Sequence, residues 1–223
     1  MTETAGPERD PATGRMGVVG IVLAAGTGSR FGGGKVRAPL EGRPLVAHVL
    51  ATARAAGIER LVLVLGRDAV EARAALAAAD DRALAGVLVA VNPSPERGLA
   101  TSLRFGLAAA TAAPAPDGVV ILLGDQPRVR AEVIVALRSA ADTAPAGALA
   151  VVAAYAGDGA PNPVLLLPAG WALAAAAEGD RGLGPLLAAN PDLLVRVPVA
   201  GANPDVDTPA DLAALTTPDR SRM

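Results

Sequence analysis

The chain has 223 residues, a formal net charge of −2, one histidine and no cysteine. That composition excludes disulfides and thiolate metal sites, offers no basic run for nucleic acid, and fits a cytoplasmic protein. Hydrophobic residues make up 52% and aromatics only 2%, so the core is expected to be Leu, Val and Ala packed closely, and no apolar run approaches a membrane span of about 20 residues.

Residues 1–16 are polar and carry Pro and Gly without the basic-then-apolar layout of a signal peptide, so they read as a disordered N-terminal tail. A single domain is expected over 17–216, followed by a C-terminal tail at 217–223. Its first element is an apolar strand, Val18–Leu23. A loop follows that holds Gly26, Gly28, Gly32, Gly33 and Gly34 together with Arg30 and Lys35. Glycines let the backbone turn its N–H groups inward, and such a nest binds anions. With two cations among the glycines, the loop points to a polyphosphate. It is neither a Walker A loop, because Val36 and Arg37 follow Lys35, nor a dinucleotide fingerprint, because Phe31 occupies the last glycine place.

Next in order come a helix over Pro44–Ala56 stopped by Gly57, a strand at Arg60–Leu65, a helix from Asp68 to Ala79 and a strand at Val87–Val91. Leu99–Ala112 reads as a helix, Gly118–Leu123 as a strand and Ala131–Ala140 as a helix. Ala148–Tyr155, Pro163–Leu167 and Leu194–Val199 read as strands, and Trp171–Ala177 and Leu183–Ala189 as short helices. Asp207–Leu215 closes the chain, with Thr208 as N-cap, Pro209 at the first helical position and Asp211 in the first turn. Continuous apolar strands alternating with helices predict an α/β three-layer sandwich, its sheet mostly parallel with helices on both faces. Ligands of such sheets sit outside the carboxyl ends of the strands, where the candidate motifs fall.

The second motif, Gly124-Asp125-Gln126-Pro127, follows a buried strand directly. Mg²⁺ takes one or two carboxylates plus substrate phosphate oxygens, which makes Asp125 a natural anchor for a metal–triphosphate complex; an ordinary Asx turn is the other reading. His48, on a helix with no second ligand nearby in sequence, reads as a packed side chain. One histidine without cysteine builds neither a zinc site nor a Ser-His-Asp set.

Leu23-Ala24-Ala25-Gly26 through Arg30 to Lys35 matches L-A-A-G-x-x-x-R-x-G-x-x-K, and over residues 18–215 the chain resembles the MobA-like nucleotidyltransferases, the molybdenum cofactor cytidylyltransferases and guanylyltransferases above all. The resemblance implies a Rossmann-like fold of the nucleotide-diphospho-sugar transferase type. It implies that Leu23, Ala24, Ala25, Gly26, Thr27, Gly28, Ser29 and Lys35 bind nucleotide, with Arg30, Lys35 and Asp125 catalytic. Asp207, in Asp205-Val206-Asp207-Thr208-Pro209, corresponds to the second carboxylate of a Mg²⁺ site shared with Asp125; an acidic group favoured by a helix N-terminus is the alternative. Relatives carry N-P-x-x-x-x-G-x-x-x-S where this chain has Asn92 to Ser102, which places Gly98 and Ser102 beside the nucleotide unless Gly98 and Thr101 only cap the helix.

Asn162, Asp180 and Gly182 correspond to acceptor-side positions. Here Asn162 replaces a usual His, Gly184 a usual Arg, and Arg37 an apolar residue after the loop lysine, so the departures fall on the acceptor side. By the same resemblance CMP passes from CTP to the phosphate of molybdopterin, and pyrophosphate leaves. LAAG goes with CTP and LAGG with GTP, and the methyl of Ala25 suits the smaller base. A molybdenum hydroxylase or its chaperone is the implied partner, with neither nucleic acid nor membrane. The alternatives are a guanylyltransferase, transfer to a sugar phosphate or methylerythritol phosphate, and a non-catalytic nucleotide- or cofactor-binding module.

Overall fold

A computed structural model describes residues 17–112, 114–156 and 161–216. Both expected tails, 1–16 and 217–223, lie outside the described residues. The strands are β1 (Val18–Ala24), β2 (Pro39–Leu40), β3 (Arg43–Pro44), β4 (Arg60–Leu65), β5 (Val87–Val91), β6 (Gly118–Leu123), β7 (Ala150–Tyr155), β8 (Val164–Leu166) and β9 (Leu194–Val199). The helices are α1 (Leu45–Ala55), α2 (Ala69–Ala79), α3 (Leu99–Ala110), α4 (Ala131–Ala141), α5 (Trp171–Ala175), α6 (Gly184–Ala188) and α7 (Pro209–Thr216).

Seven strands form one sheet in the order β5-β4-β1-β6-β8-β7-β9. β1 is buried at every residue and pairs in parallel with β4 on one side and β6 on the other. Its side chains alternate between two cores. Val18, Val22 and Ala24 meet α1, α2 and α4, while Val19, Ile21 and Leu23 meet α3, α5 and α6. Burial on both faces is why the strand reads as an unbroken apolar run, and the result is the expected three-layer sandwich.

Two features lay beyond the sequence reading. β8 runs antiparallel to both β6 and β7. The link from β7 to β8 is too short for a helical crossover, so the pair must close as a hairpin. The β2–β3 ribbon turns through Glu41 and Gly42, both at positive φ (51° and 78°), the backbone a two-residue hairpin loop demands. Pro44 therefore ends β3 and precedes α1 instead of lying inside the helix.

The C-terminal helix begins as its sequence indicates. The Thr208 hydroxyl accepts from the Asp211 amide at 3.2 Å, and Asp211 Oδ2 accepts from the Asp207 and Thr208 amides at 3.0 and 2.7 Å. The Thr208 hydroxyl, then the Thr208 and Asp207 amides, hold the Asp211 carboxyl below the usual carboxylate range. This reciprocal cap also fixes the backbone of Asp207. Thr208→Ala is expected to cost about 1 kcal/mol of stability, checked by urea unfolding.

Candidate active site

Strand order reverses between β1 and β6: the chain runs from β1 outward to β4 and β5, then crosses back to place β6 on the other flank of β1. A crevice opens outside the carboxyl ends at such a switch point. It is occupied here by a cleft of about 580 Å³, lined by the glycine-rich loop, the start of α3, Asp125, Asp180 and Asp207. That volume lies within the range of small-molecule sites.

The loop folds back on itself through Gly28, at φ 59°, whose carbonyl accepts from the Phe31 and Gly33 amides at 2.9 and 3.0 Å. A Cβ at Gly28 would lie 3.1 Å from the Lys35 Cβ, so the bare backbone lets the lysine close against the loop. Lys35 Nζ then reaches Asp125 Oδ2 at 2.7 Å and Asp207 Oδ1 at 3.0 Å. Arg30 Nη1 stands 3.4 Å from Asp207 Oδ2, on a side chain 79% exposed. Three segments distant in sequence thus converge on one ammonium. Burial alone would lower the Lys35 pKa; attraction by Asp125 and Asp207 outweighs it and raises the pKa above the ordinary lysine value.

β6 delivers Asp125. Gly124 donates its amide to the Leu23 carbonyl at 2.8 Å, so the carboxylate follows the strand immediately beside the loop. Asp207 arrives on the segment before α7, tied to Asp125 by the Val206 amide donating to the Asp125 carbonyl at 2.9 Å. The two carboxylates lean on the same cation. Asp125 Oδ1 is buried without a hydrogen-bond partner. A buried anionic oxygen left unpaired is costly, and a divalent cation would satisfy it. Two hard oxygen donors with an open cleft beside them fit Mg²⁺ or Mn²⁺, whose remaining positions go to water and phosphate.

The wall opposite is organised by Asn92. Its side-chain amide donates to the Thr101 and Ser102 hydroxyls at 2.9 and 3.0 Å, and its Oδ1 accepts from the Ser94 amide. Thr101 in turn donates to the Gly98 carbonyl at 2.7 Å. Ser102 lines the cleft, while Thr101 secures the turn. Gly98 has φ 98°, and a Cβ there would come within 2.4 Å of the Gly179 backbone. The loop of Gly179 and Asp180 therefore rests directly on the turn before α3. Gly98→Ala is expected to displace both, raising the KM for nucleotide by about tenfold or more for a misplacement of 1 Å or so. Steady-state kinetics checks it.

Leu23, Ala25, Gly26, Thr27, Gly28, Ser29, Arg30, Lys35, Gly98, Ser102, Asp125, Asp180 and Asp207 all line the cleft. Ala24 does not: strand alternation turns its methyl into the core on the opposite face. Asn162 and Gly182 line an adjoining apolar pocket of about 110 Å³ that shares Leu23, Leu99 and Leu123 with the cleft. Asp180, expected beside them, faces the larger cleft instead. Arg37 turns away from the cleft, its Nε 3.4 Å from Asp68 Oδ2 at the head of α2. His48 Nε2 lies 2.8 Å from the Leu40 carbonyl, as a packed histidine does. Asn92 stood inside a quoted motif without an assigned role, and Gln126, Asp205 and Asn203 carried no sequence signal beyond proximity to Asp125 and Asp207. Asp205 accepts from Gln126, and its pKa is raised, first by desolvation of its carboxyl and then, against the Gln126 bond, by Asp125 and Asp207.

A mainly parallel sheet, antiparallel only at β8, with a glycine-rich loop after β1 and a carboxylate after β6, is the frame of a nucleotidyltransferase domain. Residues 20–194 match the MobA-like NTP transferase domain, and the chain belongs to that family. It is 42% identical over 136 residues to the bifunctional protein GlmU of Burkholderia thailandensis, a match covering 59% of this chain and 27% of that protein. The chain thus corresponds to only about a quarter of that relative's length. The structure of Rv0371c from Mycobacterium tuberculosis H37Rv is similar at 32% identity, covering 91% of this chain and 98% of that one with a TM-score of 0.78. The structure of Rv0371c in complex with manganese is similar at 30% identity and a TM-score of 0.75, covering 91% and 98%. Among the described residues no helix is long and apolar enough to cross a membrane.

Proposed function

We propose that this protein transfers CMP from CTP to the phosphate of a molybdopterin-type acceptor, releasing pyrophosphate and forming a dinucleotide. The observation that carries the reading is the meeting of Lys35 with Asp125 and Asp207 beside the glycine-rich loop. The acceptor phosphate attacks the α-phosphorus, and the bond to the β-phosphate oxygen breaks. The acceptor is already an anion, so no strong general base is needed. That chemistry asks for positive charge and N–H groups aimed at the phosphates, which Arg30, Lys35 and the loop amides provide.

Asp125 and Asp207 would hold Mg²⁺, which when bound neutralises phosphate charge in an in-line displacement. With nucleotide bound, Lys35 would turn from the carboxylates to the triphosphate, leaving Asp125 and Asp207 to hold the ion. Manganese in the related mycobacterial structure supports a divalent cation in this fold. Gly26 supports a close approach of phosphate to backbone: a Cβ there meets nothing within 4 Å, and its φ is not positive. Neither packing nor backbone requires glycine, so clearance for a ligand explains it. Gly26→Ala is expected to leave the melting temperature unchanged and weaken nucleotide binding by about tenfold or more. Isothermal calorimetry beside a thermal melt separates the two effects.

The choice of CTP rests on Ala25. It is buried at 4% exposure, yet its residue lines the cleft. Its carbonyl lies close against Gly66, where a Cβ would come within 2.7 Å. A molybdenum hydroxylase or its chaperone would receive the product. Equal concentrations of α-labelled CTP and GTP, offered with Mg²⁺ and purified molybdenum cofactor, test this reading. Label is expected to move from CTP. Movement from GTP overturns the base assignment, and movement from neither overturns the acceptor.

A further inference from the structure

A buried amide joins the segments that carry Asp125 and Asp207. Gln126 is 3% exposed, and both ends of its side chain are engaged. Its Nε2 donates to Asp205 Oδ1 at 2.6 Å, and its Oε1 accepts from Asn203 Nδ2 at 2.9 Å. Asn203 Nδ2 also reaches the Asn162 carbonyl at 3.3 Å, on the wall of the adjoining apolar pocket. Residues 202–207 form neither helix nor strand, so these bonds, the Val206–Asp125 backbone link and the buried Val206 side chain set where Asp207 stands.

The position needs one donor and one acceptor on a neutral group. An apolar side chain would strand the Asp205 carboxylate and the Asn203 amide together. A carboxylate would accept from Asn203 but repel Asp205. Glutamine pairs with both neighbours, the Asp205 carboxylate and the Asn203 amide N–H, without adding charge to a site that already holds Asp125, Asp205 and Asp207.

We propose that Gln126 is a positioning residue: it fixes the spacing of Asp125 and Asp207 and, through Asn203, holds the Asn162 loop in register with them. The inference rests on reading those two aspartates as metal carboxylates. Supporting partners of metal ligands are worth about 10–100-fold in metal affinity.

The test is Mn²⁺ titration followed by electron paramagnetic resonance on the full chain, in the presence of α,β-methylene CTP. Gln126→Leu is expected to weaken Mn²⁺ binding by about tenfold, while binding of the same analogue without metal stays as in the parent protein. Gln126→Glu alone is expected to be worse. Combining it with Asp205→Asn restores both hydrogen bonds, with donor and acceptor exchanged between 126 and 205 and the net charge unchanged. That pair is expected to recover most of the affinity, which a residue needed only for packing would not do. Should Gln126→Leu fail to fold, the paired exchange carries the test alone. Parent-like Mn²⁺ affinity in Gln126→Leu, or a paired variant no better than Gln126→Glu, overturns the proposal. Asp125→Asn keeps the two questions apart: if it retains full Mn²⁺ binding, the metal reading itself falls and Gln126 has nothing to position.

Discussion

Asp125→Asn is expected to lower nucleotidyl transfer by about 10²–10³-fold or more, the scale of losing a main electrostatic stabiliser of a transition state. The side chain is isosteric, so the fold and the metal-free affinity for nucleotide should persist. What changes is the oxygen pair. In the parent protein Oδ2 engages Lys35 at 2.7 Å, while Oδ1 is buried without a partner and available to an ion. Asparagine removes the negative charge that both roles need and aims an amide at one of them. Single-turnover transfer, together with calorimetric nucleotide binding in EDTA, separates chemistry from binding. A variant that binds nucleotide normally but transfers nothing excludes a silent nucleotide-binding module. A variant that transfers at the parental rate removes Asp125 from the reaction.

The second large effect belongs to Lys35→Met. Its ammonium is the only cation within 3.0 Å of both carboxylates among the described residues, and its side chain is only 11% exposed. In the proposed mechanism it stands where a metal would bind, and it turns to the triphosphate during the reaction. Two opposite shifts follow. Transfer is expected to fall by about 10²–10³-fold, because positive charge on the phosphates is lost. Mn²⁺ binding without nucleotide is expected to tighten by about tenfold or more, since a unit charge a few ångström away is worth ~4 kcal/mol near a protein surface. The variant should also melt lower in EDTA and recover with Mn²⁺, its two aspartates otherwise facing each other uncompensated. Unchanged metal affinity would mean that the lysine and the ion do not compete for one place.

Much of this was legible in the sequence because the signals are local. β1 is apolar on both faces, so its seven residues announce a central parallel strand without further context. The loop glycines, Arg30 and Lys35 lie within ten residues of one another, and Asp125 follows its strand directly. The cap at Thr208 and Asp211 is likewise written within four consecutive residues. What escaped depends on contacts across the chain. The reversed direction of β8 follows from the length of its link to β7 and from its neighbours in the sheet, not from its own composition. Ala24 looked like part of the binding loop because the motif is contiguous, whereas a strand alternates and buries every second residue on the far side. Gln126, Asn203 and Asp205 are joined over 77 and 79 positions, and nothing in a glutamine after an aspartate reveals which partners its amide will find. Asn162 and Gly182, expected on the acceptor side, line a pocket formed by β1, α3, β6 and α6 together, which no single stretch of sequence displays.

In the proposed mechanism one cation is exchanged for another between Asp125 and Asp207. A crystal structure with Mn²⁺ and α,β-methylene CTP, recorded at the manganese absorption edge, tests it most directly. An anomalous peak bound by both carboxylates and by the nucleotide phosphates is expected, with Lys35 Nζ withdrawn from the aspartates onto the triphosphate. A peak elsewhere, or Lys35 still paired with both carboxylates while the nucleotide occupies the cleft, would contradict it.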